Sequence, residues 1–301
     1  MIAFWLRGIE LFVLTAALLM QYHASNPPTA ALAVLGICLA VHGSFVAASF
    51  VVSRRHASKD PPLPSPTPLA IVSIILREWG AHLALFGVIQ PFERTWLGDD
   101  APGRPLPGSV PVLLVHGYMC NRGMWWWTRR KLRAMGLTVA TINLEPPRGS
   151  IDAFAEQLHA RIETLCADTK AAQIALVGHS MGGLVARAYL RAHGPARIAR
   201  LVTLASPHHG TWLAYYGLGK NAREMQPGSA WLQSMELTNP QVPMLSVWSP
   251  ADNFIAPQAS SRLAAAREAI VPGLGHLAML FSPRVLAILI DELAHPGAPQ
   301  K

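Results

Sequence analysis

A chain of 301 residues that is 51% hydrophobic and 14% charged, with a mean hydropathy of +0.28, has room for one large core and an appendage, and is too apolar for an ordinary soluble enzyme. Part of it is therefore expected to meet lipid. The formal net charge of +8 comes without zinc-ligand spacing, an RNA-binding aromatic signature or a long basic run, so an anionic membrane surface is the expected partner rather than nucleic acid.

From the N-terminus, residues 2–20 are apolar but carry Arg7 and Glu10, set to pair one helical turn apart or to lie at an interface. Residues 30–52 form a nearly unbroken apolar run interrupted only by His42, long enough to cross ~30 Å of hydrocarbon as a helix. The bulky exit Gln21-Tyr22-His23-Ala24 argues against a cleaved signal peptide, so a retained hairpin turning at Asn26-Pro27-Pro28 is expected. Arg54, Arg55 and Lys59 follow the second helix while the loop before it has no charge, which favours the cytoplasmic side of a bacterial inner membrane for the rest of the chain.

Residues 61–66, Pro61-Pro62-Leu63-Pro64-Ser65-Pro66, read as a stiff linker. The next apolar segment, 69–89, holds Arg77, Glu78, Trp79 and His82 near its middle, where charge is costly in lipid, so it is expected to lie at an interface or pack on a domain. The expected units are a membrane hairpin over 1–60, a linker and apolar helix over 61–98, and a catalytic domain over 99–301.

Beyond Gly98, short apolar runs alternate with helical stretches, the pattern of an α/β domain with a mostly parallel sheet. The strands are predicted at 110–115, 138–142, 174–177, 201–204, 244–248 and 269–271. Ile151, Phe154, Ala155, Leu158, Ile162 and Leu165 recur at helical spacing behind a Ser150 cap, and Ser282-Pro283 opens a last helix carrying Val285, Leu286, Leu289 and Leu293 on one face. Cys38, Cys120 and Cys166 form no CxxC pair, and a Cys120–Cys166 bridge is the one pairing considered.

Chemistry concentrates in Gly178-His179-Ser180-Met181-Gly182, which follows an apolar strand and precedes a helical run, the context of a nucleophile elbow. Ser180 would attack an acyl carbonyl, with the helix start aimed at the developing charge. The strand ending in Val115-His116-Gly117 offers a backbone N–H, from Tyr118 or alternatively Met119, to join that of Met181 in an oxyanion hole. An elbow serine takes its acid and base later in the chain, acid first. Asp252 lies in a turn after a strand and His276 in a glycine-rich loop ahead of the last helix. His116, Gly117, Met119, His179 and His208 are the candidate substrate contacts. Trp125-Trp126-Trp127 reads as helix packing before it reads as an acyl contact.

Together with Leu204-Ala205-Ser206-Pro207-His208-His209-Gly210-Thr211 and Gly275-His276-Leu277, these motifs resemble the α/β-hydrolase superfamily, within it the bacterial lipase-like branch; the resemblance runs from Val110 to the C-terminus and leaves the membrane region uncovered. It implies an α/β-hydrolase sheet flanked by helices, a Ser180–His276–Asp252 triad, hydrolysis of acyl esters or lipids without cofactor or metal, and a helical lid over about 211–240, where Met225-Gln226-Pro227-Gly228-Ser229 resembles a segment often met in lids. An acyltransferase using the same acyl-enzyme, and an inactive membrane-anchored binding protein on the same scaffold, are the alternatives.

Overall fold

The computed structural model describes residues 1–23, 27–58, 67–102, 110–236 and 241–294. The proline-rich stretch 61–66, Ala24, Asn26, Lys59, the last part of the expected lid (237–240) and His295 lie outside the described residues.

Three N-terminal helices, α1 (Ile2–His23), α2 (Pro27–Arg55) and α3 (Pro68–Leu83), come first. α3 runs on through a π-helical segment, Ala84–Ile89, toward the short α4 (Glu93–Leu97). Then follow β1 (Val112–Val115), α5 (Trp126–Ala134), β2 (Val139–Ile142), α6 (Ile151–Thr169), β3 (Ile174–His179), α7 (Met181–His193) and β4 (Ile198–Leu204). The chain continues through α8 (Lys220–Glu224), α9 (Ala230–Glu236), β5 (Met244–Trp248), β6 (Arg267–Ile270) and α10 (Pro283–Ala294).

All strand pairs are parallel, in the order β2-β1-β3-β4-β5-β6. The direction of strand addition reverses between β1 and β3, and a parallel sheet opens a crevice at such a switch point, beyond the carboxyl ends of its strands. Alternate residues of β1 serve opposite faces: Leu113 and Val115 join α6 and α7, while Val112 and Leu114 join α5, α10 and the π-helical segment. The sheet is thus covered on both faces, which is why its strands read as continuous apolar runs.

All six predicted strands form. β4 begins three residues earlier than predicted and β6 two, because Arg200 and Arg267 both pair with Glu292 on α10 and so escape a search for apolar runs. Ser150 caps α6, its hydroxyl accepting from the Ala153 N–H at 3.2 Å, and the six predicted apolar positions of that helix are all buried. The cysteines do not bridge: Cys120 packs on one face of the sheet and Cys166 on the other.

Residues Ala31–Arg55 and Pro68–Ile89 are each long and apolar enough to cross a membrane. α3 is docked, however. Ile74, Glu78, Ala81, His82, Leu85 and Ile89 recur at helical spacing and are buried, while Leu69, Val72 and Leu76 stay exposed. On α1 and α2, Phe4, Trp5, Phe12, Leu32 and Val41 are likewise exposed. Arg7 turns its Nε to the Ala3 carbonyl within its own helix, at 3.1 Å.

Candidate active site

Ser180 sits between β3 and α7 with φ 55° and ψ −124°, a backbone conformation that a side chain disfavours. The turn is held because Ser180 N–H donates to the Leu204 carbonyl (2.8 Å) and Gly183 N–H to the Ser180 carbonyl (3.1 Å). Its glycines are required by contact. A Cβ at Gly178 would lie 2.5 Å from Gly183 N, and one at Gly182 would strike the Val115 carbonyl oxygen and come within 2.8 Å of that of His116. The first turn of α7 therefore lies directly on the end of β1. Ser180 is 9% exposed.

Asp252 lies in the loop after β5, 2% exposed, and His276 in the loop after β6, 4% exposed. One carboxylate oxygen of Asp252 accepts from Phe254 N–H (2.7 Å) and Ile255 N–H (2.8 Å); the other is 2.9 Å from His276 Nδ1. The imidazole must carry its proton on Nδ1 to bind an anion, which leaves Nε2 as the base in the neutral ring. Burial alone would lower the His276 pKa, but the charge and hydrogen bond of Asp252, joined by the charge of Glu78, outweigh it and leave the value raised.

Gly117 lies against the elbow: a Cβ there would be 3.0 Å from Ser180 Cβ. Tyr118 and Met119 follow in a turn that Met119 enters with φ 51°, and Met181 opens α7, where the first N–H groups have no partner within the helix. The Tyr118 hydroxyl donates to the Leu218 carbonyl (2.8 Å) and accepts from the Leu218 N–H (2.7 Å), fastening the turn to the stretch where the lid is expected. In that stretch Trp212, Tyr215, Tyr216 and Leu218 are exposed, whereas Leu232 belongs to the core.

The three histidines among the candidate substrate contacts are buried, with ring nitrogens turned to the protein. His116 Nδ1 lies 2.9 Å from the Gly117 carbonyl and its Nε2 accepts from Leu144 N–H (3.0 Å); burial, opposed by the Gly117 bond, pushes its pKa down to about 4. A neutral ring bracing the loops after β1 and β2 is the result. His208 Nε2 pairs with Thr203 Oγ1 (3.1 Å). His179 Nε2 reaches the His276 carbonyl (3.2 Å), and the two rings lie 4.5 Å apart. His116 and His179 thus brace the loops around the elbow, whereas His208 is tied to Thr203 and Arg187.

Sequence reasoning passed over Glu78, Ser49, Ser53, Asn253 and Gln258, all buried against the Asp252 and His276 loops. Only Glu78 left a signal, as a carboxylate in an apolar segment. Among the described residues no group of three or more His, Cys, Asp or Glu is placed to hold a metal ion.

The family model of palmitoyl protein thioesterases matches residues 111–239. Triacylglycerol lipases of Pseudarthrobacter phenanthrenivorans and Burkholderia plantarii are each 33% identical over 116 residues, 35% of this chain. The match covers 35% and 31% of those proteins, so the chain spans about a third of the length of these curated relatives. The mature form of Bacillus licheniformis lipase BlEst2 superposes with a TM-score of 0.58 at 17% identity, covering 65% of this chain and 96% of that one. Aspergillus fumigatus lipase B gives 0.58 at 18% identity, covering 68% and 56%. At these identities the two structures attest the fold.

The contact at Gly182 generates a prediction. Gly182→Ala places a methyl group against two backbone carbonyls that cannot swing aside, so overpacking should destabilise the fold by roughly 1–3 kcal/mol or more. A urea unfolding midpoint that does not move would show that the elbow can relax away from β1.

Proposed function

Because the chain is a lipase-like α/β-hydrolase, we propose that it is a serine hydrolase cleaving carboxylic esters, with Ser180 as nucleophile, His276 as base and acid, and Asp252 as the orienting carboxylate. The observation that carries this reading is the buried 2.9 Å pair of Asp252 and His276, raised at the same carboxyl edge of the sheet as the strained Ser180 turn. Ser180 Oγ attacks the acyl carbonyl as His276 Nε2 takes its proton. The N–H groups of Tyr118 and Met181 receive the oxyanion at the positive end of α7. His276 then returns the proton to the leaving alcohol, and water releases the acyl group by the same steps in reverse.

The acyl group is of medium or long chain. The curated relatives are named triacylglycerol lipases and the matching family acts on palmitoyl protein, both acyl chemistries. The exposed aromatic residues of the lid stretch, Tyr216 at 76% among them, suit contact with lipid, since apolar surface is costly only against water. Activity against esters of graded length should therefore favour longer chains, and Ser180→Ala should cost ~10⁴ or more in turnover. Fastest turnover of acetate esters would remove the lipid assignment, and an active Ser180→Ala variant would remove the serine mechanism.

The pH profile follows from His276. The reactive form is the neutral ring, so activity is present above its pKa and lost as pH falls through it; since that value is raised, the acidic limb of kcat/KM should lie above the ordinary imidazole value of about 6.5. A limb well below that value would mean that Asp252 does not carry the charge assigned to it.

We further assign α1 and α2 to a membrane anchor, with α3 docked on the domain: α2 is long and apolar enough to cross a membrane, and the exposed Arg54 and Arg55 at its end favour the cytoplasmic face of a bacterial inner membrane for the catalytic domain. Alkaline carbonate should leave the full chain in the membrane pellet, and its appearance in the supernatant would exclude an integral anchor.

A further inference from the structure

Two helices that precede the sheet reach the loops carrying the proposed acid and base. Glu78 on α3 is fully buried, at 0% exposure. Its Oε1 accepts from Leu277 N–H at 2.9 Å, and its Oε2 accepts from Leu277 N–H at 3.0 Å and Ala278 N–H at 2.9 Å. These are the two residues directly after His276. On the other side of the imidazole, a Cβ at Gly275 would run into the Glu78 carboxylate, so this loop can close over the carboxylate only with glycine at that position. The carboxylate thus lies beneath residues 275–278 and fixes the backbone on both sides of His276.

α2 holds the neighbouring loop. Ser53 Oγ donates to the Asp252 carbonyl (2.9 Å) and accepts from Gln258 Nε2 (2.8 Å). Asn253 Nδ2 donates to Ser49 Oγ (2.7 Å), and Asn253 Oδ1 accepts from His276 N–H (3.0 Å), so a chain of contacts runs from α2 through the acid loop to the base. The sheet offers little support at this place, because β6 is a half-exposed edge strand.

Burying a carboxylate costs free energy that hydrogen bonds to neutral N–H groups only partly offset. Burial pushes the Glu78 carboxyl up to about 7, against the bonds from Leu277 and Ala278 N–H and the charge of His276; a charge held there above that pH calls for an electrostatic reason, and His276 supplies one. When it takes the proton of Ser180 it becomes a cation that the charges of both Asp252 and Glu78 favour. Among the described residues the other titratable group against it is His179, from β3, held neutral by burial; His82, one turn beyond Glu78 on α3, packs against His42 of α2.

We propose that Glu78 is a positioning residue of the catalytic base: it fixes the loop that aims His276 and, with Asp252, stabilises the imidazolium formed during acyl transfer. The inference rests on the serine-hydrolase reading above. It makes the helix preceding the hydrolase sheet part of the catalytic apparatus, outside the region that the family match covers.

The test uses the full chain in detergent. Wild type and Ser180→Ala are first labelled with a fluorophosphonate; labelling of the wild type alone secures the underlying reading, and any other result is a failure of that reading rather than of this one. Glu78→Gln keeps the size of the side chain but removes its charge and sets an amide NH₂ against the loop N–H groups. It should lower kcat by about tenfold or more, as partial loss of a general base does, with KM nearly unchanged. It should also move the acidic limb of kcat/KM to lower pH, because His276 loses a charge that raises its pKa. Glu78→Asp keeps the charge on a shorter arm and should lower kcat while leaving the limb near its wild-type position. Thermal unfolding is followed for each variant. Glu78→Gln with wild-type kcat and pH profile would overturn the proposal, as would activity lost only in proportion to the unfolded fraction with the limb unmoved. If Glu78→Gln does not fold, Glu78→Asp decides: an unchanged kcat there would overturn the proposal equally.

Discussion

An imidazole and a carboxylate buried together at 2.9 Å hold their geometry only as well as the loops that carry them. Asp252 and His276 follow the last two strands of a parallel sheet, and the strand before His276 is the edge, with one neighbour fewer than the strand that carries the elbow. Ser180 needs no outside help, since its turn is locked by glycine contacts with β1 and by hydrogen bonds to β4 and α7. Asp252 and His276 rest on contacts from outside the sheet as well. Most of what surrounds them can be understood as supply of that support: Asn253 ties one loop to the other, His179 underlies the imidazole, and α2 and α3 close the remaining side.

This division explains which parts of the molecule were legible in the sequence. The elbow is a local object, with strand, turn, glycines and helix consecutive in Ile174 to Ala192, so its residues announce it without any knowledge of the fold. The strands were legible because burial on both faces leaves mostly apolar residues in them; two blurred at their starts, where Arg200 and Arg267 enter strands to pair with Glu292. Asp252 and His276 could be singled out by their order and their loops, but not by what holds them.

The supporting residues are illegible for a physical reason. Ser49 and Ser53 are unremarkable in an apolar helix, where serine hydroxyls ordinarily bond back to their own turn, as Ser49 also does to the Val46 carbonyl. Their partners in the acid loop lie about two hundred residues away in the chain, and no periodicity reports a contact of that range. Glu78 differs because a carboxylate in an apolar run always demands a partner. The sequence stated the demand and withheld the answer, two backbone N–H groups beside a histidine. His116, His179 and His208 are a different case: a polar ring beside a motif invites a role with substrate, and in the structure each ring is buried with a nitrogen in contact with the protein.

On the proposed anchoring, α2 has two surfaces with different work. Leu32, Leu35 and Val41 are exposed and apolar, suited to lipid, while Val46, Ser49 and Ser53 are buried, the serines against the acid loop. His56, directly after this helix, stacks its ring on Trp212 at the start of the expected lid stretch (4.3 Å, 13°), and Thr211 there bonds the Phe254 carbonyl of the Asp252 loop. The proposed membrane contact, lid and catalytic acid are therefore neighbours along one short path rather than properties of separate parts. A helix that served only as a tether would need no serine at these positions, since any apolar residue satisfies a bilayer. If α2 is the proposed anchor, their burial in hydrogen bonds to the Asp252 loop makes anchor and site constrain one another: a bilayer holding α2 would bear on where that loop sits, and the loop would limit how far α2 can withdraw into lipid.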